Sequence, residues 1–486
     1  MKEKNDVRQW IIYAVSLLCI FCFRFIPPVP GISASGMQVL GVFIGTLILW
    51  LTTAIDWPSI LCLAGLTFVP EMSMNSILAS SFGNSTFAFL LCTFMCTYAL
   101  SKTSFVKRCA IAFICNRLAR KGSWWFVTLY CLSVLVIGMF ISPVVLFVIY
   151  LPILETICGE LKLEKGDKLA SVLVLGQLFC CCFSCGMTPI AHVFPVMAIG
   201  FYQTATDTVV SYASYMGFAV PVGLIVFLVM MLMFRFFLRP DMSKFQNLNL
   251  DSLKAELKPM DRREKMTLVV FALVVIMWVI PEFFKTSVPA LYKFFNARGT
   301  TFPPMLGAVA LFILSADGQP LLNFKETMSK GIQWGSLVMA AATLAVGAAM
   351  TNADIGLTTW LSSSLEPVLA KLSPAVIVLA FIVWSAIMTN VCSNMVTVTV
   401  VCAVAIPICM ASNGALNTSA VACMIGMLAS YAFVLPPAHP NVALAIGSGW
   451  TNTAQIAKYG TVIAVVTMFV SMVVGYPIAS ALMPVV

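Results

Sequence analysis

Residues 222–237 read VGLIVFLVMMLMFRFF, an apolar run without period-two alternation, and stretches like it recur along the chain. Inside a bilayer no water is present to satisfy backbone polar groups, so such a run can only be helical there. The missing alternation excludes a transmembrane β-barrel. Composition closes the other routes: 60% of the 486 residues are hydrophobic and 10% are charged. That leaves too little polar surface to cover a water-soluble globule, and excludes a cytosolic enzyme, a nucleic-acid binder and a disordered chain. The expectation is an all-α polytopic membrane protein, with apolar sequence for more than ten spans of about 20 residues.

Two apolar segments, 124–158 and 373–411, are too long for one span and are interrupted in the middle, at Ser142-Pro143 and at Asn390–Asn394. Each reads as a helix pair that turns back inside the membrane, a re-entrant hairpin. Two more, 169–200 and 416–447, carry Gly, Pro and His interruptions and read as broken transmembrane helices. Irregular backbone at that depth is tolerated only where protein or a water-filled cavity satisfies it.

The positive charges orient this layout. With the N-terminus inside, eleven spans and two hairpins put 23 of the 28 Lys and Arg on the inner side; Arg24, Lys285, Lys293, Arg298 and Lys371 fall outside. The positive-inside rule supports that orientation, a multi-pass protein of the cell membrane with a cytoplasmic N-terminus. The formal charge of +9 then acts as a topology signal and an attraction to anionic lipid. The start MKEKNDVRQW is basic, and Pro27, Pro28 and Pro30 stand where a small-residue cleavage site would be, so a retained first helix is expected. The order span, surface helix, hairpin, broken helix, span occurs twice with opposite orientation. The expected division is a first helix (1–36), one repeat (37–240), a cytoplasmic linker (241–265) and a second repeat (266–486). An inverted repeat of this kind is the architecture of secondary transporters.

Matching motifs mark the two repeats. The chain has two histidines, in Ala191-His192-Val193 and Ala438-His439-Pro440; over ten residues from each alanine, five positions are identical at an offset of 247. Prolines precede both, at Pro189 and at Pro436 and Pro437, removing donors and forcing unwound backbone. Half-helix ends there leave carbonyls and amides free to bind ions. The hairpin tips correspond too: Gly138 to Val144 in the first, Thr389 to Thr397 in the second. Tips and broken helices are expected to converge at the membrane midplane.

Ser393-Asn394-Met395, together with LASYAFVLPPAHPNVALAIGSG at 428–449, resembles the divalent anion/sodium symporter family. The match at 428–449 is specific, and the segment order agrees over nearly the whole chain. The resemblance implies sodium-coupled symport of a small anion, a carboxylate or dicarboxylate, by an elevator mechanism in a homodimer, with no cofactor beyond sodium as coupling ion. One sodium site is implied at Thr389, the carbonyl of Cys392, Asn394 and the carbonyl of Ala438. A second is implied at Gly138, Ser142 and the carbonyl of Ala191, but Gly138 lacks a hydroxyl and Pro143 stands where the family has asparagine, so two side-chain oxygens are missing. The implied substrate pocket is Ser142, Pro143, Val144, Thr188, His192, Ser393, Asn394, Met395, His439 and Pro440. Here imidazoles replace the family's small hydroxyl residues, and no Lys or Arg lies in the four motifs.

Plainer readings stand beside these. Intramembrane histidines can be structural hydrogen-bonders or proton carriers rather than pocket walls. Ser393 and Asn394 are also good helix caps. Cys180, Cys181, Cys182 and Cys185 contain a C-x-x-C spacing, but buried thiols in apolar runs behave as small hydrophobes. Met230, Met231 and Met233 suit packing, Trp124, Trp125 and Trp334 suit interfacial anchoring, and Asp354 and Glu366 suit a solvated helix face. An ion/proton antiporter would place acidic residues in the core, and none occurs between Asp167 and Asp207 or after Glu366. The residues are also compatible with a proton-coupled anion transporter, an anion channel or a membrane enzyme that uses the histidines.

Overall fold

The computed structural model describes residues 2–190, 192–247, 259–357, 359–360, 363–364, 372–412 and 414–484. Ala191, the middle of the 241–265 linker and most of the surface segment that contains Glu366 and Lys371 lie outside the described residues. The fold is all-helical; among the described residues the one strand pair is Ser315–Ala316 with Gln319–Pro320. Nine helices among them are long and apolar enough to span a bilayer, or ten if the pair Met74–Ser80 and Ser85–Ser101, bent by 43°, is one span. Shorter apolar helices at Trp57–Leu66, Ser123–Gly138, Phe302–Ile313 and Thr418–Ala429 complete the bundle.

The expected interruptions are where the helices stop. The first hairpin is Ser123–Gly138 and Pro143–Glu160, the second Pro374–Val391 and Asn394–Ala411. Pro143 and Pro374 stand in the first turn of their helices, where a fixed φ and a missing N–H cost nothing. The first broken helix is Lys168–Met187 and Val193–Thr206, with extended backbone at Thr188 (φ −135°) and His192 (φ −145°). The second is Thr418–Ala429 and Pro440–Gly447, entered from extended backbone at His439 (φ −153°).

These four elements form the core. Lys168–Met187 is buried along its length, and Val193–Thr206 packs on Thr418–Ala429, so the two broken helices cross at the centre. Small residues permit that approach: a Cβ on Gly426 would stand 2.8 Å from the Ala198 Cβ and 3.0 Å from the Pro195 Cα. Each hairpin packs on the first half of its own broken helix. The outer helices expose many apolar side chains, among them Leu228, Leu232, Val269, Leu273, Val465 and Phe469, as a lipid-facing surface requires. Trp125 and Trp334 are about half exposed, as interfacial anchors would be.

Ion pairs tie loops together at one end. Lys102 Nζ lies 2.8 Å from Glu326 Oε2, Arg108 Nη2 3.1 Å from Glu264 Oε2, and Lys244 Nζ 2.9 Å from Asp167 Oδ2. Every one of these residues belongs to a segment that the charge distribution places on the inner side.

Candidate functional site

The tip of the second hairpin is locked to the unwound stretch of the second broken helix. Thr389, fully buried, donates from Oγ1 to the Ala429 carbonyl at 2.7 Å. Its Oγ1 is also 3.1 Å from Asn394 Oδ1. With the Asn394 amide turned over, its nitrogen instead donates to the Ala438 carbonyl at 2.9 Å and the Thr389 carbonyl at 3.2 Å. In either orientation Thr389, Asn394 and Ala438 converge at one point. Cys392 occupies the break itself in extended backbone, Ser393 is half-buried beside it, and Met395 is buried.

Asn390 carries no role in the sequence motifs, yet it holds this half together. Its Nδ2 donates to the carbonyls of Ala386 (2.8 Å) and Tyr431 (3.2 Å), and its Oδ1 accepts from the N–H groups of Phe433 and Val434, both at 2.9 Å. One amide thus satisfies backbone that left its helix at Ala429. The signal in the sequence is a polar residue in an apolar helix, one turn before Asn394.

The first hairpin makes the equivalent connection by other means. Thr188 Oγ1 donates to the Met139 carbonyl at 2.5 Å, which occupies that hydroxyl with a structural bond. Tyr215 OH donates to the Gly186 carbonyl at 2.7 Å and closes the end of the preceding helix. The glycine at 138 has a steric reason: a Cβ there would overlap Ser184 Oγ. Ser142, Val144 and His192 are half-buried, Pro143 is buried, and Pro440 is exposed.

The two halves meet at the histidines. The rings of His192 and His439 lie 6.3 Å apart, centroid to centroid. His439 Nδ1 accepts from the Asn441 N–H at 3.1 Å and so caps the helix Pro440–Gly447. Asn441, a second residue missed in the sequence, reaches across to the first hairpin and donates to the Pro143 carbonyl at 3.1 Å. His192 Nδ1 and Asn441 Oδ1 are buried and have no hydrogen-bond partner among the described residues. A cavity of about 110 Å³ opens at His192, lined also by Ser142, Tyr98, Lys330 and Gln333. Its walls combine hydroxyl, imidazole, amide and one ammonium, groups that recognise an oxyanion.

A family model described as the sodium:sulfate symporter transmembrane region matches residues 7–484. The chain belongs to this family. Relatives and structural neighbours fit the same picture. A sodium-dependent dicarboxylate transporter of Staphylococcus saprophyticus is 24% identical over 471 residues, covering 92% of this chain and 86% of its own. The sodium-dependent high-affinity dicarboxylate transporter 3 of Caenorhabditis elegans is 24% identical and covers 66% of this chain and 60% of its own. Among solved structures, the Alcanivorax borkumensis YdaH transporter superposes with a TM-score of 0.60 at 12% identity, covering 85% of this chain and 88% of its own. That likeness concerns the fold. In this symporter-family chain the family match spans both half-sites, and the chain is a multi-pass membrane transporter rather than an enzyme.

Proposed function

We propose that the chain couples sodium to the uptake of a small dicarboxylate. The observation that carries this reading is the convergence of Thr389, Asn394 and the Ala438 carbonyl. These are neutral oxygens held by a hairpin tip and a broken helix, the donor set a hard monovalent cation accepts once the Asn394 amide oxygen faces inward. The Cys392 carbonyl is the fourth member of that set. Around Ser142, Gly138 and Pro143 supply no side-chain oxygen and the adjacent Ser184 hydroxyl is bonded to the Cys181 carbonyl, so this second cation position is the weaker one.

The anion sits between the tips, against Ser142, Ser393, His192 and His439. Pro143, Val144, Met395 and Pro440 shape its apolar margin, and Thr188 positions the first tip. Sodium and carboxylate charges offset one another there, because an uncompensated charge is costly to move through a bilayer. Hairpins and broken helices of the repeats 37–240 and 266–486 form a transport body. It slides in an elevator motion against the remaining helices of a homodimer in the cell membrane, with the N-terminus cytoplasmic.

The test is succinate uptake into proteoliposomes by wild type and Asn394→Ala across a range of external sodium. Wild type is expected to saturate with sodium, and the variant to lose the sodium response. A variant with an unchanged sodium curve would remove Asn394 from the cation site.

A further inference from the structure

The four motifs contain no cationic side chain, yet a dicarboxylate needs positive potential along its path. The fold supplies one from far away in sequence. We propose that Lys330 is the residue that draws the anion into the Ser142–His192 cavity and sets its preference for negative charge. The proposal rests on the transport reading above.

Three observations carry it. First, Lys330 lines the same cavity as Ser142 and His192. Second, its backbone is firmly placed. It sits in the turn Thr327–Gly331 ahead of the helix Trp334–Thr351, and Gly331 lies so close to Tyr98 that a Cβ would stand 2.7 Å from the ring. Third, its charge is available. The nearby carboxylate, Glu326, is taken by Lys102 Nζ at 2.8 Å and Tyr98 OH at 3.1 Å. Among the described residues no carboxylate lies within salt-bridge distance of Lys330. Lys102, Lys325 and Lys330 outnumber the one glutamate of this segment, and Lys330 carries that positive charge to the cavity lining.

Lys330 is exposed, so it acts as a long-range attractor at the mouth rather than as a desolvated ligand. The expected signature is a change in apparent affinity without a change in maximal rate. It should appear at one membrane face, the face that carries Lys102 and Lys330.

Succinate KM and maximal rate are to be measured in vesicles of both orientations for wild type, Lys330→Gln, Lys330→Glu, Lys330→Arg and the control Lys325→Gln. At low salt Lys330→Gln is expected to raise KM by about two- to fivefold at that face, the range a single exposed charge pair gives. Lys330→Glu should raise it further, Lys330→Arg should restore it, and the ionic-strength dependence of KM should flatten in the neutral variant. Lys330→Cys adds a readout within one folded protein: a cationic thiol reagent should lower KM and an anionic one raise it, relative to identically treated wild type. If Lys330→Glu keeps the wild-type KM and salt dependence at both faces, the proposal is overturned. If wild type itself shows no sodium-driven succinate uptake, the transport reading fails instead.

Discussion

Replacing Asn390 with alanine would strip four backbone groups of their partner at the point where the second hairpin meets the unwound stretch. The carbonyl of Ala386 stays within its helix, so its loss is small. The Tyr431 carbonyl and the N–H groups of Phe433 and Val434 have no helix to return to. At about 1 kcal/mol net for each of three intramolecular hydrogen bonds, the loss is about 3 kcal/mol, and more where a stranded group remains dry. Asn390 is 6% exposed, so water reaches these groups poorly. The stretch they fix leads directly to Ala438 and His439. A loss of that size should loosen the proposed cation position as well as the fold. Thermal unfolding in detergent, with and without sodium, and sodium-dependent uptake in proteoliposomes read the two effects separately. Asn390→Ala is expected to unfold at lower temperature and to need more sodium for half-maximal uptake. Asn390→Asp keeps the acceptor for both N–H groups and should lose less of the sodium response. A variant with wild-type melting temperature and sodium curve would refute the claim that this amide holds the site.

His439→Ala removes the cap of the helix Pro440–Gly447 at a cost of about 1 kcal/mol, while His439→Asn preserves a capping acceptor. Melting temperature should separate the two variants, and altered ranking of dicarboxylates in both would assign the imidazole to the pocket. Arg108→Met leaves the Glu264 carboxylate, 5% exposed, without its guanidinium. Arg108 is itself 22% exposed, so the loss is on the order of 1.5–3 kcal/mol, the range of a hydrogen bond to a charged group. The double variant Arg108→Met/Glu264→Gln should recover part of the lost melting temperature.

Much of this architecture was legible in the sequence because membrane helices obey local rules. The hairpin breaks at Ser142-Pro143 and Asn390–Asn394 coincide with the observed gaps between helices, and both histidines end unwound stretches as their prolines foretell. Helix count was harder, since Trp57–Leu66 and Phe302–Ile313 are too short to meet a length criterion for a span. The convergence of Thr389, Asn394 and Ala438 was legible because the paired motifs carry all three. The candidate site was not legible where contacts join distant segments. Asn390 meets Tyr431, Phe433 and Val434 across a long stretch of chain, Asn441 reaches Pro143 in the other repeat, and Lys330 meets Ser142 only through the cavity. No periodicity encodes such pairings. Gly138 shows the converse: the sequence reveals a missing hydroxyl, and only packing against Ser184 supplies the reason.

The central claim is that cation and anion cross together. Radiolabelled sodium and succinate fluxes measured in the same proteoliposomes test it directly. Each flux is expected to require the other solute, in a fixed ratio across concentrations. Succinate uptake of equal rate and extent in sodium-free medium would contradict it.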